Sequence, residues 1–413
     1  MIIFVAFVLS FSYFFSKIDT YWYLRTGAIF WLSMLVYLLP SYYSSRYGVD
    51  TSELLFSIYF QFYSFFIASY VCIFILLLKY YKFDRAINYK RDVYNSDWGF
   101  FNIPAIIVIM FVIYLMYIVK GDVLIFLSLS HHEQVALFES GNRSTIDLFL
   151  FSIILLFFQQ KKNNFGKLDF LVSVLYSLLL LISFGRNPMM YYVFGLFSMY
   201  CIKNKKSISF INLFGIIFIA CVFMGFINAR RAVGFDLELM LHHVLDRGFL
   251  FYVFGTEFNV PARILYFIEK ANGAEDIFKF PGYSLIVVTI NSVIPSFIWE
   301  RLPTASMELS RSYGTTGGLP LVIEVYSNFG MKLLWLFGIL FAIFFAVLDM
   351  LLSRLLNTGT KVGVLLLAGG LFVALNSQRI DFAISFKMFI VITIISCLIN
   401  ELFRRKVVFK GAM

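Results

Sequence analysis

The chain has 413 residues, of which 61% are hydrophobic and only 14% charged, and it carries 52 phenylalanines. Its mean hydropathy is +0.84. This composition excludes a cytosolic enzyme, a disulfide-built secreted domain and an ordinary nucleic-acid binder, and it points to a helical membrane protein. The formal charge of +10 comes from 34 Lys and Arg against 24 Asp and Glu. Where those charges fall matters more than their sum, because cytoplasmic loops of membrane proteins collect Lys and Arg.

A helix of about 20 residues crosses a hydrocarbon layer of about 30 Å. Segments that meet or approach that length are 1–16, 27–44, 54–78, 101–119, 144–160, 168–183, 188–202, 208–228, 319–348, 362–378 and 382–400. The predicted fold class is an all-α polytopic membrane protein with about 11 spans, forming a single transmembrane domain. Residues 1–16 lack a basic run before them and a small-x-small site after them, so they read as a retained first span.

The connections 17–26, 79–100, 161–167, 203–207, 349–361 and 401–413 hold 19 Lys and Arg, against 13 in the opposite set, eight of which lie in 229–318. That asymmetry predicts a periplasmic N-terminus and a cytoplasmic C-terminus. The large loop 229–318 is then periplasmic. Within it, 284–299 is apolar but interrupted by Pro295, which suits a helix lying on or dipping into the bilayer. Cys72, Cys201, Cys221 and Cys397 fall in or beside apolar segments without C-x-x-C spacing. They read as packing residues, and no metal or other cofactor is expected.

Ionisable groups at membrane depth are costly unless paired or facing a cavity, so they mark candidate sites. Arg186 sits in GRNP, a short break between two spans, where Pro188 suits the start of a helix. Its two readings are an anchor to lipid phosphate and a binder of an anionic substrate. Arg230 and Arg231 open the large loop. They either snorkel to headgroups or hold a diphosphate through bidentate contacts, with Arg230 the stronger candidate.

His242 and His243, like His131 and His132, are adjacent pairs without a spaced third ligand, which is poor evidence for metal. The stretch RSYGTTGGLPLVIEVYSNFG, 311–330, contains Arg311, Tyr313, Glu324 and Asn328. Pro320 predicts a helix start, and Glu324, Asn328 and Lys332 at i, i+4 and i+8 predict one polar stripe. That stripe is either an internal Glu324–Lys332 salt bridge or a site in which Glu324 orients or deprotonates a hydroxyl. Arg379 and Asp381, in NSQRIDF, are predicted to form the last external turn, with Asp381 able to cap the next helix. Asp50 and Glu53 form D-x-x-E in the first outer connection, a pattern equally expected of helix-start capping.

GRNP around Arg186, Arg230 before the large loop, GGLPLVIEVYSNFG and RIDF around Arg379 together resemble the bacterial O-antigen polymerases of the Wzy type. The resemblance covers most of the chain in layout and some forty residues in motif. It implies an inner-membrane glycosyltransferase acting on the periplasmic side. Such an enzyme moves a growing glycan from undecaprenyl diphosphate to a hydroxyl of the next lipid-linked repeat unit. Arg186, Arg230, Arg311 and Arg379 become candidates for the diphosphate, Glu324 and His242 for catalysis, and Asn328, Tyr313 and Arg231 for support.

Lipid diphosphate is a good leaving group, so arginines that stabilise the departing charge suffice without a metal. The implied partners are lipid-linked donor and acceptor, membrane lipids and a polysaccharide chain-length regulator, with no nucleic acid. An O-antigen ligase shares the donor but transfers to lipid A core, and no motif reports the acceptor. A lipid-linked glycan flippase predicts pseudo-symmetric halves, whereas the sequence shows one asymmetric outer loop.

Overall fold

The computed structural model describes residues 1–19, 21–43, 49–80, 172–177, 186–203, 208–213, 236–246, 260–270, 282–294, 298–313, 318–357, 362–378 and 381–410, with isolated positions between 109 and 233. Among the described residues every regular element is helical. In chain order they are α1 (Ile2–Ile18), α2 (Thr26–Tyr43), α3 (Val49–Tyr80), α4 (Arg186–Lys203), α5 (Leu237–Asp246) and α6 (Val260–Lys270). A wide helical turn, Tyr283–Val288, runs into α7 (Thr289–Val293). Then follow α8 (Ala305–Tyr313), α9 (Leu321–Phe329), α10 (Leu334–Asn357), α11 (Val362–Asn376) and α12 (Phe382–Lys410). The predicted spans 101–119 and 144–160 lie almost wholly outside the described residues.

Two helical stretches are long and apolar enough to cross a bilayer, Asp50–Lys79 with 30 residues and Met331–Leu355 with 25. Along α10, Leu340, Ile343, Val347 and Leu351 are exposed at helical spacing, while Ala342, Phe345, Ala346 and Asp349 are buried on the other side. A helix that meets water shows the reverse pattern. α3 begins with Asp50 in its first turn and has Lys79 in its last, matching the helix dipole. Glu53 is also exposed in that opening turn, so D-x-x-E lies where helix-start chemistry puts it. α4 begins at Arg186, which leaves Pro188 in the first turn, where its missing N–H costs nothing.

The packing is built on α3 against α10. A Cβ at Gly338 would stand 2.5 Å from the Phe62 carbonyl oxygen, so only glycine permits this approach of the two backbones. Phe30 of α2 fills the next layer, with ring centroids 4.7 Å from Phe345 and 4.9 Å from Phe66. α11 then packs against α2, α4 and α12. Of the cysteines expected in packing positions, Cys201 is buried, but Cys72 and Cys397 are exposed. Their helices turn those faces away from the bundle. Cys221 lies outside the described residues.

Two predicted features are corrected. The span 319–348 is not one helix: Gly330 takes φ 69°, ψ 179°, ends α9, and leads into the short turn Met331–Leu333 before α10. Glu324 and Asn328 share a buried face of α9, but Lys332 lies beyond the break and is exposed, so the three do not form one stripe.

Charges in the 17–26 and 349–361 connections are also not all solvent-facing. Asp19 and Arg25 are buried and paired at 2.5 Å. Arg25 further donates to Ser353, and Asp349 accepts from the Thr26 amide at 2.7 Å, the Gly27 amide at 3.1 Å and Tyr70 Oη at 2.6 Å. Burial of charge in an apolar bundle demands such partners.

Candidate functional site

The turn between α11 and α12 is where polar groups converge. Asn376, Ser377, Gln378 and Asp381 are all buried, while Arg379 and Ile380 between them lie outside the described residues. Gln378 donates to Tyr63 Oη, and Tyr63 lies roughly halfway along α3. The Ser377 carbonyl accepts the Leu321 amide at 2.7 Å and so holds the start of α9.

Asp381 begins α12, its carbonyl accepting the Ile384 and Ser385 amides at 3.1 and 3.2 Å. Its carboxylate does not serve that helix. Oδ1 accepts the Leu319 amide at 2.8 Å, and Oδ2 accepts the Ser306 hydroxyl at 2.5 Å. One side chain thus fixes the entry to α9 and the first turn of α8.

Glu324 projects from α9 into the same region and is 1% exposed. Its Oε2 accepts the Phe382 amide at 3.3 Å, and Asn328 lies one turn further along the same helix. Ser284 Oγ accepts Asn328 Nδ2 at 2.7 Å. Asn328 Oδ1 receives the Gly282 amide at 3.1 Å, where Gly282 has φ 82°. Asn328 clasps the segment 282–293 to α9, and Glu324 ties α9 to α12. This segment overlaps the apolar stretch 284–299; it forms a helix over Tyr283–Val293 and packs on α12.

Three further buried polar atoms lie on these elements without a hydrogen-bond partner among the described residues: Gln378 Oε1, Ser385 Oγ and Thr289 Oγ1. A buried polar atom left unpaired costs about 1–3 kcal/mol, so their grouping on elements around one turn marks a polar site within an apolar bundle.

The remaining candidates lie elsewhere or outside the described residues. Arg311 is on α8 with its side chain 71% exposed, 4.0 Å from Glu308 Oε1. His242 is on α5, 74% exposed and 3.0 Å from Asp246 Oδ2. Among the described residues neither is bonded to Glu324. Arg186 opens α4 and Tyr313 ends α8, but their side chains lie outside the described set, as do Arg230, Arg231 and Arg379 entirely. His131 and His132 are outside it too. Among the described residues no group of three His, Cys, Asp or Glu side chains is placed to hold a metal.

Sequence reading selected Glu324 and Asn328, took Asp381 for a helix cap, and missed Ser284, Ser306 and Gln378. The polar run NSQ between two apolar segments was the available signal for Gln378. Ser284 and Ser306 matter only through contacts that no local pattern displays. Comparison of the chain with protein-family models, with curated proteins and with solved structures finds no match.

Proposed function

We propose that this chain is a membrane-embedded glycosyltransferase that polymerises undecaprenyl-diphosphate-linked oligosaccharide repeat units at the periplasmic face of the bacterial inner membrane. The observation that carries this reading is the enclosed polar cluster of Glu324, Asn328, Asp381 and Gln378, set between apolar helices. It sits in the segments whose motifs, GGLPLVIEVYSNFG and RIDF, resemble the O-antigen polymerases. Eleven spans, a periplasmic loop over 229–318 and a cytoplasmic C-terminus belong to the same proposal.

In the proposed reaction the acceptor sugar hydroxyl attacks the anomeric carbon of the donor. A new glycosidic C–O bond forms as the bond from that carbon to the diphosphate oxygen breaks. Undecaprenyl diphosphate leaves with the electron pair, and the hydroxyl proton passes to a base. Arg186, Arg230, Arg311 and Arg379 are assigned to the departing diphosphate, because guanidinium groups pair with phosphate oxygens bidentately. Glu324 acts here as a positioning residue, since its carboxylate already engages the Phe382 amide. His242, free of the packed core, is the candidate base.

The test uses purified protein with lipid-linked repeat units and follows ladder formation. Glu324→Gln keeps an acceptor for the Phe382 amide and retains much of the activity, whereas Glu324→Ala loses it with folded yield preserved. Loss in Glu324→Gln equal to that in Glu324→Ala makes the carboxylate itself the base and overturns the positioning role. Absence of any ladder from the wild-type protein, with transfer to lipid A core instead, reassigns the chain to ligation.

A further inference from the structure

We infer that Arg301 and Lys387 form a binding site for the phosphate of an anionic lipid headgroup, on the face where α7 meets α12. Asn291 folds the chain back here: its Nδ2 donates to the Glu300 carbonyl at 2.8 Å and its Oδ1 accepts the Leu302 amide at 3.0 Å. Among the described residues Arg301, between them, is held by one nitrogen. Its Nη1 donates to the carbonyls of Asn291 and Ser292 at 2.8 and 2.7 Å. That leaves Nη2 and Nε, the edge whose geometry matches two phosphate oxygens.

Ser292 Oγ also donates to the Ala383 carbonyl at 3.1 Å, which seats this corner on the first turn of α12. Lys387 follows Ala383 by four residues and so lies on the same face one turn further along. It is half-buried. A lysine on a helix leans toward the helix N-terminus, here the direction of the Ala383 turn on which the Arg301-bound corner is seated. Among the described residues neither cation has a carboxylate within salt-bridge distance. Two cations set about one corner repel each other. A phosphate between them removes that repulsion and satisfies the unused Arg301 edge.

The inference does not depend on glycosyl transfer. Its experiment places full-length protein in nanodiscs of phosphatidylcholine with a minor fraction of phosphatidylglycerol, then measures retained phosphatidylglycerol by native mass spectrometry. The double variant Arg301→Gln, Lys387→Gln is expected to lower occupancy about tenfold, the size of the charge-assisted hydrogen bonds removed. Lys387→Gln alone makes the same test without touching the Arg301 contacts that shape the corner, and Lys387→Arg restores retention. Unchanged retention in Lys387→Gln and in the double variant overturns the site. Complete displacement by excess inorganic phosphate assigns it to a free anion and overturns the lipid assignment, whereas retention against phosphate supports it.

Discussion

The Asp381 carboxylate receives the Leu319 amide at 2.8 Å across sixty-two residues of sequence. With its other oxygen on Ser306, it joins the turn before α12 to the segments that lead into α8 and α9. Asp381→Ala leaves a buried amide and a hydroxyl without acceptors. We expect a loss of about 2–4 kcal/mol, since each stranded group costs about 1–3 kcal/mol. Asp381→Asn keeps one acceptor and loses roughly half as much. Thermal unfolding in detergent, followed by intrinsic fluorescence, measures both; equal melting of Asp381→Ala and wild type removes the tethering role.

Asp349 is the second buried carboxylate whose partners come from other helices. Its removal leaves Tyr70 Oη and the amides of Thr26 and Gly27 unpaired and strips Arg25 of a nearby charge. Asp349→Ala is expected to cost about 3–5 kcal/mol, as for other broken buried networks. Tyr70→Phe removes one hydroxyl and costs about 1 kcal/mol. A double-mutant cycle between the two positions reads their coupling. Additive losses contradict a shared network.

Gly338 faces the backbone of α3 with no room for a methyl group. Gly338→Ala forces α10 away from Phe62 and is expected to destabilise by about 1–3 kcal/mol. Gly338→Leu is expected to abolish folded yield in size-exclusion chromatography. Wild-type melting of Gly338→Ala shows that the two helices separate freely.

Arg311 and His242 carry exposed side chains whose only ion-pair partners among the described residues are Glu308 and Asp246 on their own helices. Substitution of either by alanine is expected to change stability by less than about 0.5 kcal/mol. Loss of ladder formation in these variants therefore reports on the reaction and not on folding. Full activity of both withdraws them from the proposed site.

Helices rich in apolar residues were legible in the sequence, because hydropathy alone defines α1, α2, α3 and α12 to within a few residues at their starts. The Gly330 break was harder to see. Apolar residues flank it on both sides, and only a glycine after NF hints that the helix stops. The candidate site was partly legible. Glu324 and Asn328 at i and i+4 announce a common face, and the structure buries both.

What the pattern hid is the burial of Gln378 and Asp381. Arg379 and Asp381 in a short polar connection look like a surface loop, yet Gln378 and Asp381 are buried beside Tyr63 and Leu319. The pairing of Asp19 with Arg25, and of Asp349 with Thr26 and Tyr70, was equally hidden. Charges at the ends of apolar segments satisfy the statistics of cytoplasmic loops whether they face water or one another.

The contact of Gly338 with Phe62 has a mechanical consequence. Two helices in backbone contact cannot rock apart without losing the dispersion that holds them, so α3 and α10 form a stiff spine. On the other side of Glu324 the short 282–293 segment is held by side-chain hydrogen bonds through Ser284, Asn328 and Ser292. Under the proposed function, any opening toward a lipid-borne sugar falls to that segment.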